Sequence, residues 1–166
     1  MREILFRGQT RRKGEKVWMD GSPVESNWVH GGVLKGNGDH SIIYQTEPDI
    51  EKKVVYTDTL GQFTGLTDKN GTKIFEGDII TFEDVCCEGG SGYEYPDECA
   101  VEAMNRAEII IWNGCVCFGK ELFESTVYED IQSYYPNLNE WFAECTEVIG
   151  NIYDNPELIG GEQNDT

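Results

Sequence analysis

No lysine or arginine follows Lys120. Across its 166 residues the chain carries 13 basic and 31 acidic side chains, a formal charge of −18. The cations it does have crowd the front, where Arg2, Arg7, Arg11, Arg12, Lys13 and Lys16 lie within the first sixteen positions. Proteins grip a phosphate backbone by displacing counterions with cations, so this balance argues against general nucleic-acid binding and leaves only a local contact through the N-terminal segment. Long apolar runs are also missing, and none approaches the roughly 20 residues that a membrane-crossing helix needs. Met1 leads into "REILFRG" with no apolar leader core, so the expectation is a soluble, intracellular protein with no membrane partner.

Catalytic signatures are equally scarce. There is no phosphate-cradling loop and no G-x-S-x-G nucleophile elbow. Gly36-Asn37-Gly38-Asp39 lacks the third glycine and the following helix of a dinucleotide loop, and reads as a β-turn. Aligning Gly71 with the invariant glycine of a calcium loop puts Leu66 first and Gly77 twelfth, where carboxylates belong, so calcium binding of that type is rejected. The six cysteines are Cys86, Cys87, Cys99, Cys115, Cys117 and Cys145. Cys86 and Cys87 are adjacent, and one residue separates Cys115 from Cys117, which is not the paired spacing of a tetrahedral zinc site. They read as thiols of a reducing compartment.

Two histidines, His30 and His40, sit near glycine-rich turns and read as surface or turn residues. Glu76 and Asp78 flank Gly77, and turn-capping explains them better than paired catalytic carboxylates. Trp18, Trp28, Trp112 and Trp141 are too dispersed for a stacking platform and read as core packing. The sequence therefore assigns no catalytic, cofactor-binding or metal-binding residue and implies no cofactor. It leaves open whether Cys86, Cys87, Cys99, Cys115 and Cys117 bind metal, and whether Glu76, Asp78, His30 or His40 do more than build structure.

What the chain has in quantity is turns, with 19 glycines. Strands are expected at Ile4–Gly8, Lys16–Met19, Trp28–Leu34, Ser41–Thr46 and Lys53–Thr57, with a turn at Lys13-Gly14. In "GQFTGLTDKNGTKIFEGDII", Asn70-Gly71 predicts a type I′ hairpin, Lys73–Phe75 the returning strand, Glu76–Asp78 a second reversal and Ile79–Phe82 another strand. Ala107–Trp112 and Cys115–Phe118 flank a further Asn-Gly turn. Val127, Ile131 and Tyr134 are spaced for a helix that Pro136 ends. A helical turn over Asn139–Glu144 and a strand over Val148–Ile152 follow. The segment from Glu83 to Asn105 holds seven acidic residues and no basic one, and reads as an acidic insertion. The fold class expected is predominantly β with minor helices (α+β by class), with a small barrel-like or meander core. It forms one domain over 1–159 with a disordered tail at 160–166.

Three blocks, "ILFRG" with "GEKVWMDG", "GQFTGLTDKNGTKIFEGDII" and "VIGNIYDNPEL", resemble the YopX-like proteins of bacteriophages and prophages. The matching positions include Arg7, Gly8, Trp18, Gly61, Thr64, Gly65, Asp68, Asn70, Gly71, Glu76, Gly77, Asp78, Gly150, Asn151, Asn155 and Pro156. The resemblance implies a phage-derived origin and a bacterial cytoplasm, and it brings no activity or catalytic residue with it. The functional expectation is a non-enzymatic binding or assembly protein acting on a host or phage protein partner. Two alternatives stand beside it, an acidic mimic of DNA that inhibits a nucleic-acid enzyme and a metal- or carboxylate-dependent enzyme. Edge strands leave self-association open.

Overall fold

The computed structural model describes residues 4–15, 25–34, 36, 38–45, 51–83, 104–122 and 138–160. The expected strand at Lys16–Met19, the helix around Val127–Tyr134, nearly all of the acidic insertion, and the tail beyond Gly160 lie outside the described residues. Those that remain are predominantly β, as the turn-rich composition predicts. No described helix is long and apolar enough to cross a membrane.

Ten strands are described: β1 (Phe6–Arg11), β2 (Asn27–Leu34), β3 (His40–Gln45), β4 (Glu51–Tyr56), β5 (Gly61–Thr67), β6 (Lys73–Phe75), β7 (Asp78–Glu83), β8 (Met104–Trp112), β9 (Cys115–Leu122) and β10 (Thr146–Asn151). They form two antiparallel sheets, ordered β4-β3-β2-β1-β5-β6 and β10-β7-β8-β9. The meander expectation holds for the first four strands. The barrel does not close, because β5 pairs with the free side of β1 and leaves β4 and β6 as edges. The first sheet nevertheless curls tightly: a Cβ placed on Gly8 of β1 would lie 2.9 Å from a Val55 methyl of β4. Val29, Ile43 and Val55 fill that concavity, with Val33 and Leu60 packed against them.

The larger core lies on the four-stranded sheet. Ile80, Phe82, Ala107, Ile109 and Val116 pack there with Ile74 of β6 and with Phe142 and Ala143 of a single helical turn, Glu140–Ala143. Asn139 caps that turn by accepting from the Phe142 N–H at 2.8 Å, as Asn before a helix should. Trp112 corrects the sequence reading, since 67% of it is exposed beside the β8–β9 turn.

The two Asn-Gly pairs diverge. Asn113 (φ 50°) and Gly114 (φ 80°) form the two-residue hairpin with both central residues at positive φ that a type I′ turn requires. Asn70 does not take positive φ; only Gly71 does, at 79°. Gly71 N donates to Asp68 O and Asp68 N to Thr72 O, both at 2.9 Å, giving a three-residue loop with glycine in its left-handed position. The type I′ expectation at Asn70 is therefore corrected. The Asp68 side chain explains why: its Oδ1 accepts from Asn70 N at 2.9 Å and Thr72 N at 2.8 Å, which stabilises the longer loop.

Candidate functional site

The central glycine-rich block does not stay within one sheet. β6 ends the six-stranded sheet at Phe75, and β7 opens in the four-stranded sheet at Asp78, so Glu76-Gly77 is the crossing between them. Gly77 turns with φ 81°, donates to Ile109 O at 2.7 Å and accepts from Ile152 N at 2.9 Å. A Cβ there would press on the Tyr153 ring at 3.3 Å, and one on Gly61 would meet Glu76 O at 2.4 Å. Glycine is required at both positions by conformation or by close approach.

Three aspartates fasten this seam. Asp78 Oδ1 pairs with Arg7 Nη1 of β1 at 2.5 Å, and its Oδ2 accepts from Phe75 N at 2.7 Å. Turn-capping is thus correct for Asp78, although the bond runs backward to Phe75 and a buried ion pair accompanies it. Burial pushes the Asp78 carboxyl above its ordinary value, against the pull of Arg7 and the Phe75 N–H. Arg7 is sandwiched by rings, its guanidinium carbon 4.7 Å from Trp28 and 5.1 Å from Phe75, and its Nη2 donates to Glu76 O at 3.3 Å.

Asp68 reaches across as well, its Oδ2 accepting from Val148 N of β10 at 3.0 Å. Burial pushes it up, but the Val148, Thr72 and Asn70 donors together outweigh that and hold it below its ordinary value. Asp154 gathers Trp28 Nε1 at 2.7 Å, Gln9 Nε2 at 2.9 Å and Asn151 Nδ2 at 3.0 Å. Its carboxyl too is pushed up by burial and then held low by these donors. Trp28 is therefore a hydrogen-bonded tie between sheets as well as a packed ring.

A cavity of about 390 Å³ opens beside the seam. Leu5, Arg7, His30, Lys73, Phe75 and Asp78 are among the residues that line it. Of the four candidates named from sequence, it brings together His30 and Asp78. Glu76 reaches the seam through its carbonyl, and His40 packs against Tyr56 at 5.1 Å between ring centres. His30 is exposed on one side, with its ring 5.3 Å from Phe75. Burial, then Arg7 and Lys73, lower its pKa.

Cys115 and Cys145 are exposed and Cys117 is half-buried, while Cys86, Cys87 and Cys99 lie outside the described residues. Among the described residues no group of three His, Cys, Asp or Glu side chains could hold a metal ion. Sequence reasoning missed Arg7 and Asp154 as the partners that give these carboxylates their role. Arg7 and Asp154 stood inside the quoted blocks, but nothing local in the sequence says which side chain they meet.

A family model described as "YopX protein" matches residues 13–160. A crystal structure of protein EF1440 from Enterococcus faecalis is 20% identical, covering 94% of this chain and 96% of that one, with a TM-score of 0.38. No curated protein matches the chain.

Proposed function

This chain belongs to the YopX family, and on that premise we propose that it is a non-enzymatic binding or assembly protein that docks onto a protein partner. The setting proposed is a bacterial cytoplasm, with the chain a product of phage-derived genes. The observation that carries the binding role is an apolar row on the outer face of the first sheet. Leu34, Ile42 and Val54 stand directly opposite one another on β2, β3 and β4. Leu34 is 56% exposed and Val54 58%, with half-buried Ile42 between them. A contiguous aliphatic row held by strand register is what a partner can cover, whereas single exposed apolar residues are ordinary.

The non-enzymatic part is supported by what the seam carboxylates do. Asp68 and Asp78 have both oxygens engaged, and Asp154 accepts from the side chains of Trp28, Gln9, Asn151 and Ser26. A general base needs an oxygen free to reach a substrate proton. The test is affinity capture from host lysate at moderate salt, run with the wild-type chain and with Val54→Lys. A protein retained by the first and lost by the second supports the reading; equal retention by both removes the Leu34–Ile42–Val54 row as the docking face, and enrichment by neither overturns the binding role.

A further inference from the structure

In a chain of charge −18, the cavity beside the seam is a local reversal of sign. Its walls receive Arg7 from β1, His30 from β2 and Lys73 from β6, and among the described residues Asp78 is the one acidic side chain lining it. That carboxylate is paired with Arg7, so the two charges offset each other and Lys73 gives the described wall its net positive charge. Leu5, Phe75 and Val148 supply apolar wall on the same cavity. It measures about 390 Å³ and stands open to solvent, so a guest would be covered on one side only.

The charged groups around His30 fix the sign of the field there. Arg7 stands directly across from it on β1, Lys73 and the Phe75 ring approach from β6, and Asp78 of β7 lines the same cavity. The charged groups that depress the imidazole are both cations, Arg7 and Lys73. The guanidinium of Arg7 uses its terminal nitrogens on Asp78 and Glu76 O. Its Nε is buried without a hydrogen-bond partner among the described residues, so a guest meets a guanidinium largely engaged through its terminal nitrogens, which suits a single negative charge beside hydrocarbon better than a phosphate.

We propose that this cavity binds a carboxylate carried on a short apolar group, with Lys73 meeting the anion beside the His30 ring while Leu5, Phe75 and Val148 cover the hydrocarbon. The inference concerns the isolated chain and does not depend on any partner at the Leu34–Ile42–Val54 row. Such a carboxylate can be a free acid or the C-terminal residue of a peptide.

Because the chain has two histidines, imidazole NMR of the purified protein reads the site directly, with His30→Gln assigning the signals. The probes are 4-methylpentanoate, N-acetyl-leucine and N-acetyl-leucinamide. Both acids should move the His30 signal saturably and raise its titration midpoint by about half a unit or more, since an anion that favours imidazolium must be favoured by it in return. His40 should stay put, the amide should bind at least about tenfold more weakly, and Lys73→Gln should weaken the acids about threefold or more. Tighter binding of N-acetyl-leucine than of the free acid assigns the site to a peptide terminus; equal or weaker binding assigns it to a free acid. Equal binding of the amide, parallel movement of both histidines with ionic strength, or no response overturns the proposal.

Discussion

Arg7 of one sheet and Asp78 of the other form a buried ion pair at 2.5 Å, their side chains 10% and 2% exposed. It is the electrostatic bolt of the seam. Removing one partner leaves a charge buried without its counterpart, and that loss exceeds what the pair contributes net. Asp78→Asn and Arg7→Met should each lower stability by about 3–5 kcal/mol in urea unfolding, while Arg7→Met with Asp78→Leu should lose clearly less than the sum. Additive single effects would remove the pair from this role.

Asp68 and Asp78 should titrate on opposite sides of the ordinary aspartate value of 3.8. Asp68 is held low, so its contribution is present above that value and fades as pH falls through the folded one. Asp78 is held high, so its ionisation in the fold costs stability as pH rises from 3.8 through its folded value. Carboxyl carbon NMR titration checks the order, and finding Asp68 above Asp78 would contradict it.

Asp68→Asn should cost about 1–3 kcal/mol at neutral pH, because an amide nitrogen would face one of the three N–H donors. The gap from wild type should narrow below about pH 4, where the wild-type carboxylate itself begins to protonate. Urea midpoints measured from pH 7 to pH 3 decide this; a constant gap would mean that the charge contributes nothing.

Two glycine substitutions should separate close approach from conformation. Gly71 has φ 79° and open space around it, so Gly71→Ala should cost about 1–2 kcal/mol for the left-handed backbone. At Gly61 a Cβ would meet Glu76 O at 2.4 Å, and backbone can yield only by moving the crossing. Gly61→Ala should therefore cost more, about 3 kcal/mol or above. Thermal unfolding of the two variants gives the ranking.

On the exposed row the expectation is different again. Val54→Lys should change stability by no more than about 0.5 kcal/mol, as surface substitutions do, while abolishing partner capture. Unfolding of that variant at much lower denaturant would show the row to be structural.

Much of the strand layout was legible locally. The Asn113-Gly114 hairpin, the return at Lys73–Phe75 and the strand at Trp28–Leu34 carry their instructions within a few residues, in turn formers and β-branched runs. The same logic misread Asn70, because the Asp68 side chain stabilises a longer loop than the Asn-Gly pair alone would choose. It also misread Trp112, since alternation along a strand says which residues share a face and not whether anything covers that face. Asp78 was legible as a turn residue and illegible as a partner of Arg7.

By itself, then, the chain's order of residues determined that this is a β protein, where its tight turns fall and how one-sided its charge is, because those follow from local backbone preference and from counting. Only the tertiary structure decided that β5 returns to β1, that Glu76-Gly77 passes from one sheet to the other, and that Arg7, His30 and Lys73 converge on one cavity. Contacts between residues distant in sequence depend on how whole sheets pack, and no local pattern of side chains encodes that.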